Sequence, residues 1–272
     1  MTPHRRHARV VFRQFLKLIF AAAGLQLAGC AAISPPVSAP EPPAPKWQLS
    51  QMLGSMTERR QQFRSVRALA QVSYAGPEGK HGFQEAVLVQ RPGHLRLETL
   101  SYLGAVLIVT ANDKEIIGYH PREGVFVRGA LTKENMLRYT QIPLELDEIT
   151  ALLIGLPPVA ASTPTQQGNT LVFSNDGGKK DAVTFGSQQP VPTKWERLDP
   201  DGGVEMSAQF SDYISTPAGW FPSKITIEAR AQKKKVEIRY QEPELNAKLS
   251  ADLFTQQKPA HAQEVPIEAI GS

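Results

Sequence analysis

The chain has 272 residues, of which 41% are hydrophobic and 21% are charged, and these values exclude a fully disordered chain and a polytopic membrane protein. A single cysteine excludes a disulfide framework and any cysteine-based zinc or iron–sulfur site. The net charge of +4 comes from the N-terminus, because residues 1–29 hold five of the thirty basic residues and no acidic one, which leaves twenty-five bases against twenty-six acids. We therefore expect no general attraction of the remaining chain to nucleic acid.

Residues 1–29 are typical of a secretory signal peptide. Basic residues come first, and an apolar core from Leu18 to Leu27 follows, which is too short for a membrane-spanning helix. The segment ends in Leu27-Ala28-Gly29-Cys30, which resembles the bacterial lipobox. This resemblance implies that Cys30 becomes the first mature residue and carries a diacylglycerol and an N-linked acyl chain. Ala31 stands where an aspartate would favour retention in the inner membrane, so we expect a lipid anchor in the outer membrane, facing the periplasm.

Residues 31–46 contain six prolines in sixteen positions. Such a segment cannot form helix or sheet ladders and favours an extended chain. The sequence thus predicts four parts: a signal peptide at 1–29, a lipidated cysteine and tether at 30–46, one folded domain at 47–256, and a flexible, polar tail at 257–272.

Two regions of the domain show helical patterns. Apolar residues three or four positions apart predict an amphipathic helix at its start; they are Trp47, Leu49, Met52, Leu53, Met56 and Phe63. In the middle of the domain, Thr132 predicts the N-cap of a helix over 133–139. Asp147 predicts the cap of a helix over 148–154 that ends at Gly155.

The remaining segments alternate with a period of two, which predicts about six strands between residues 66 and 127 and about five between 171 and 240. Turn sequences such as Gly76-Pro77-Glu78-Gly79 and Asn175-Asp176-Gly177-Gly178 separate them, and short connections favour antiparallel pairing. A sheet of this size has to curl to hide its apolar face. We expect a mainly β fold with α-helices, arranged as a barrel or half-barrel with helices over its opening.

The sequence offers no recognisable catalytic site, so we expect neither an enzyme, nor a metal, nor a cofactor beyond the lipid on Cys30. The six histidines lack metal-ligand spacing, and no nucleophile elbow, phosphate loop or dinucleotide fingerprint occurs. Turn formation accounts for the carboxylates of Asp199, Asp201 and Glu205 better than acid–base catalysis does. The run 233–235 of three lysines is either a solvated hairpin tip or a contact for anionic lipid headgroups.

The segment Ser101-Tyr102-Leu103-Gly104-Ala105 interrupts two apolar strands and is less polar than a typical solvated turn. Tyr102 and Leu103 either form an exposed apolar tip that contacts a membrane or a partner, or fold back into the core.

These features in this order resemble the LolA/LolB-like superfamily, and most closely its outer-membrane receptor, LolB. The resemblance rests on the lipobox, the proline-rich tether, a helix leading into an antiparallel meander, and a Leu-Gly loop between the third and fourth strands. The segment 149–157 is similar to a family segment of Trp-Ile-Leu-Gly-Leu-Pro type, although its tryptophan is not matched, and Tyr102 replaces the proline of the family loop. Residues 221–225 and 245–254 are similar to features of wider relatives.

The resemblance implies a half-barrel of about eleven antiparallel strands, closed by helices, whose apolar cavity holds acyl chains. It also implies that Tyr102, Leu103 and Gly104 form a membrane-inserting loop. Strand alternation gives candidates for the cavity lining, with a register that the sequence does not fix; they are Leu69, Phe83, Val87, Leu97, Leu107 and Val109.

The expected function is therefore that of an outer-membrane lipoprotein, monomeric, that binds the acyl chains of other lipoproteins and helps to localise or insert them. Its partners would be acylated cargo and a periplasmic carrier of LolA type. The alternative is an envelope lipoprotein that serves as a scaffold or assembly factor on the same fold, with its cavity filled by side chains.

Overall fold

A computed structural model of the chain describes residues 47–270, which contain three α-helices and fourteen strands. The helices are α1 (Leu49–Gln62), α2 (Lys133–Thr140) and α3 (Leu146–Leu153). The strands are β1 (Ser65–Gly76), β2 (Gly79–Gln90), β3 (His94–Ser101), β4 (Gly104–Ala111), β5 (Glu115–His120), β6 (Val125–Ala130), β7 (Thr165–Gln167), β8 (Thr170–Ser174), β9 (Lys180–Phe185), β10 (Pro192–Leu198), β11 (Val204–Thr216), β12 (Gly219–Ala229), β13 (Lys234–Leu245) and β14 (Gln263–Pro266).

All fourteen strands belong to one open, curved sheet, in the order β14-β6-β5-β4-β3-β2-β1-β13-β12-β11-β10-β9-β8-β7. Two antiparallel meanders, β1 to β6 and β7 to β13, make up most of it. The pairing of β1 with β13 joins them, and it begins with Val66 opposite Leu245 and ends with Ala75 opposite Lys235.

One face of the sheet, which we call the inner face, bears the hydrophobic core. In β1 it carries the small or branched residues Val66, Ala68, Ala70 and Val72, all buried. Side chains of α1 and α3, among them Met52 and Leu152, join the same core.

Local signals explain the helix boundaries. The Thr132 side chain caps α2 by accepting a hydrogen bond from the backbone N–H of Asn135 at 3.1 Å, as predicted. The third helix begins two residues earlier than predicted, because Glu145 and Glu148 form a reciprocal capping box and Asp147 lies inside the first turn.

The sequence predicted about eleven strands, and the structure has fourteen, because six strands, β8 to β13, stand where about five were predicted and two further strands occur. Strands β7 and β14, at the two edges of the sheet, are three and four residues long and were not predicted. Neither carries an alternating apolar pattern, and Pro266 lies in β14. Short, polar or proline-containing strands are typical of sheet edges, where only one side needs partners.

The C-terminal segment packs against the sheet, from the end of the predicted domain at Phe254 and Gln256 into the predicted tail, 257–272. The side chain of Asn112 donates to the Phe254 carbonyl at 3.1 Å, and the Gln256 amide donates to the Ile108 carbonyl at 3.2 Å. Strand β14 then pairs in parallel with β6. Beyond it, the Ile267 side chain is fully buried in the core, in the space that a side chain at Gly129 would need.

We predict that Ile267→Ala lowers the free energy of unfolding by about 2–4 kcal/mol, because it leaves a cavity in a packed core. Urea unfolding followed by circular dichroism measures this. Val265→Ala, a half-buried position in β14, is the control and should cost much less. Equal losses for the two variants would contradict the placement of Ile267.

Candidate functional site

On β3 and β4 the inner face becomes less buried toward the β3–β4 turn. The hydrogen-bond register aligns Val66, Val89, Leu95, Ala111 and Ile116 in a row across β1 to β5, and all five side chains are buried. The next row, two residues along each strand, contains the half-buried Leu97 and Val109. The inner face is therefore less covered on β3 and β4 toward the turn that joins them, whereas Ala68, Val87 and Gly118 of the same row stay buried.

Five of the six predicted lining residues share this face. Val87 pairs with Leu97, and Leu97 pairs with Val109, which places these three in one cross-strand row. Leu107 lies opposite Thr99 in the following row, and Phe83 lies opposite Val72 in the row after that. Val87 is buried, whereas Phe83, Leu97, Leu107 and Val109 are half-buried. We call these four half-buried residues the apolar band.

The assignment of Leu69 to the same interior was wrong. Leu69 pairs with Ala86 and lies on the opposite face, where 45% of its surface is exposed. In β1 the residues on either side of Leu69, Ala68 and Ala70, are the buried ones. The side chains that face the core are therefore shifted by one residue from the prediction.

Tyr102 and Leu103 form an exposed tip. They are 93% and 69% exposed, the largest exposures among the big apolar side chains of residues 47–270. The Ser101 hydroxyl fixes the turn: it donates to the Gly104 carbonyl at 2.9 Å and accepts from the backbone N–H of Leu103 at 3.2 Å and from the Arg122 guanidinium at 2.8 Å. Gly104 has a φ of +104°, which few other residues adopt.

Glu85 is a residue of the inner face that the sequence interpretation missed. It lies between Phe83 and Val87 in β2, is only 6% exposed, and accepts a hydrogen bond from the Thr99 hydroxyl at 2.9 Å. Burial away from water raises the pKa of its carboxyl to about 7, and the nearby Glu98 carboxylate adds to this rise. The signal was present in the sequence, because position 85 is in phase with the apolar residues 83, 87 and 89.

Helix α2 contacts the inner face at the strand next to the apolar band. Gly118, which pairs with Val109, has no side chain, and the ring of Tyr139 from α2 occupies the space where one would stand. Burial raises the pKa of Tyr139 to about 12, so it stays neutral.

A cavity of about 840 Å³ opens near the other end of the strands, between α2, the start of α3 and the β2–β3 turn. Met136, Leu131 and Leu146 supply apolar walls, and His94 and Lys133 supply polar ones. None of the predicted lining residues contributes to it.

Cys30 lies outside the described residues. Within residues 47–270, no helix is long and apolar enough to cross a bilayer, and no three histidine, cysteine or acidic side chains are grouped as metal ligands. Of the carboxylates near the β10–β11 turn, Asp199 accepts from the Gly203 backbone N–H at 2.7 Å, and Glu205 pairs with Lys179 at 2.7 Å. Both are thus engaged in structural contacts.

Comparison with known proteins gives matches in structure alone, since no family model and no curated protein match the sequence. A domain assigned to outer-membrane lipoprotein sorting, from Vibrio parahaemolyticus, is 11% identical with a TM-score of 0.51, over 74% of this chain and 95% of that domain. A DUF1329 family protein from Desulfovibrio piger is 10% identical with a TM-score of 0.54, over 75% of this chain and 97% of that one. A LolA superfamily protein from Nitrosomonas europaea is 12% identical with a TM-score of 0.49, over 75% and 97% of the two chains. The first two likenesses show that this chain shares the fold of these two proteins.

Proposed function

We propose that this chain is an outer-membrane lipoprotein of LolB type, which holds the acyl chains of lipidated proteins on its inner face and passes them to the bilayer. The observation that carries the proposal is that a single hairpin, β3–β4, bears both features that the task needs. Its strands supply three of the four residues of the apolar band, and its turn supplies the exposed tip of Tyr102 and Leu103.

The chemistry of acyl transfer suits such a surface. Burial of hydrocarbon is favourable, non-directional and proportional to the area removed from water, so it needs no catalytic group. A half-buried band binds a chain less tightly than an enclosed cavity would, and this makes release into a membrane easier. The lipobox at Cys30 and the shared fold with a lipoprotein-sorting domain support the same proposal.

The scaffold alternative has one observation in its favour. The half of the inner face beneath α1 and α3 is filled by protein side chains, including Met52, Leu152 and Ile154, which are fully buried. If the apolar band were only the margin of this core, the chain would bind no lipid and would act through its surface.

Native mass spectrometry distinguishes the two functions. Residues 31–272, which include every described element but lack Cys30, are mixed with a triacylated lipopeptide. The transfer function predicts a one-to-one complex that disappears when the same peptide lacks its acyl chains. Absence of any complex would favour the scaffold.

We predict that Leu103→Glu reduces delivery of bound lipopeptide to phospholipid vesicles about tenfold or more and leaves the binding of lipopeptide unchanged. Burial of a leucine side chain contributes about 1.5–3 kcal/mol, and a glutamate at the tip loses this contribution. Leu69→Glu, which changes a partly exposed leucine on the opposite face, is the matched control and should deliver normally. Normal delivery by Leu103→Glu would remove the tip from the mechanism.

Glu85 makes the stability of the inner face dependent on pH. Its pKa in the folded chain, about 7, lies above the ordinary value of 4.5, so the folded state holds its proton more tightly than the unfolded state. The contribution of this protonation to the free energy of unfolding is complete below about pH 4.5 and is lost as the pH rises through about 7.

We therefore predict that Glu85→Gln is more stable than the parent chain at pH 8, by up to ~3 kcal/mol, and that the difference shrinks toward pH 5. Urea unfolding at the two pH values measures it. Glu123→Gln, at an exposed turn, removes the same charge and should show no such trend. A constant difference at both pH values would mean that Glu85 does not titrate in this range.

A further inference from the structure

A basic cleft lies between the β1–β2 turn and the β12–β13 turn. Its volume is about 430 Å³, and it is lined by Lys80, Arg230, Lys233, Lys234 and Lys235, together with Gly76, Gly79 and Glu228. We call it the basic cleft. The run of three lysines in the sequence supplies only part of it, because Lys80 comes from the start of β2 and Arg230 from the start of the β12–β13 turn.

Most of the charge in the basic cleft is not neutralised by the protein. Lys235 pairs with Glu228 at 2.7 Å, and Lys234 lies 3.6 Å from Glu78. Lys80, Arg230 and Lys233 are exposed, and within residues 47–270 none of them forms an ion pair. Three cations are therefore available to an anionic ligand.

Specific contacts hold Lys234, at the bottom of the cleft, and the backbone of the β12–β13 turn. The ammonium of Lys234 is buried, donates to the side chain of Gln141, the C-cap of α2, and lies 5.5 Å from the centre of the Tyr74 ring. Lys233 adopts a φ of +52°, and its backbone N–H donates to the Arg230 carbonyl at 3.0 Å. These contacts fix Lys234 and the backbone of the turn before any ligand binds, so this part of the cleft does not have to be ordered by the ligand.

The basic cleft and the exposed tip lie at the same end of the strands. The turns after β1, β3 and β12 all lie at the strand ends on this side, since neighbouring strands are antiparallel. Four strand spacings separate the β3–β4 turn from the β12–β13 turn, which is about 19 Å along the sheet. Both features can therefore fall within one contact area.

We propose that the basic cleft binds the phosphate of anionic phospholipid headgroups. The strand ends that carry the cleft then dock on an anionic bilayer, with Tyr102 and Leu103 directed into it. Charge complementarity selects the occupant: three cations without an ion pair in residues 47–270, at the same strand ends as an apolar tip, match a surface that is anionic outside and apolar beneath. The inference does not depend on acyl binding, because the cleft shares no residue with the apolar band.

The test is flotation of residues 31–272 with vesicles of phosphatidylcholine alone or with 30% phosphatidylglycerol, at low and at 0.5 M salt. The test variant is Lys80→Glu with Lys233→Glu, two exposed positions without ion pairs. The matched control is Lys114→Glu with Lys248→Glu, which changes the net charge equally at exposed positions near the opposite ends of the strands.

We expect the parent chain and the control to bind the anionic vesicles and to lose binding in high salt. The test variant should bind them roughly thirtyfold more weakly, since each basic residue near an anionic surface contributes about 1 kcal/mol. Equal binding of the parent chain to both kinds of vesicle would overturn the proposal, and so would equal losses for the two double variants. Because lipopeptide binding is measured separately, failure here leaves the acyl-binding function standing.

Discussion

The pairing of β1 with β13 is the contact on which the whole sheet depends. Each meander can form from hairpins between consecutive strands, but this pairing joins residues near the start of the domain to residues near its end. Closing so long a loop costs entropy that only the full set of ladder hydrogen bonds and the buried inner face can offset. Without it the core would divide into two halves, each with an exposed apolar face.

The inner face combines two different surfaces on the same strands. Near α1 and α3 it is a close-packed protein core, and on β3 and β4 the side chains toward the β3–β4 turn are only half-covered. A sheet that is rigid at one end can present an open apolar surface at the other without losing its fold. Glu85 lies at the transition, where burial raises the pKa of its carboxyl to about 7.

The features with local signals could be predicted from the sequence, and those that depend on distant partners could not. Local sequence signals gave the hairpins and the Thr132 cap. The pattern at Tyr102 allowed an exposed tip or a buried one, and the family resemblance favoured the exposed loop. Leu69 was assigned to the interior because it is large and apolar. The other residues on its face of β1, Arg67, Gln71 and Ser73, are polar and indicated the opposite. Nothing near Ile267 indicates burial, because the space it fills is created by Gly129, far earlier in the chain.

The two edge strands also restrict how this molecule can associate with others. An open sheet normally offers its outer strands as templates, and a partner can extend the sheet by adding a strand of its own. Here the outer strands have three and four residues, and Pro266 lacks the N–H that a ladder requires. They provide too few backbone groups to hold a peptide in register. We therefore expect cargo and partners to be recognised through the faces and turns of the sheet, and the protein to resist fibrillar aggregation despite its many strands.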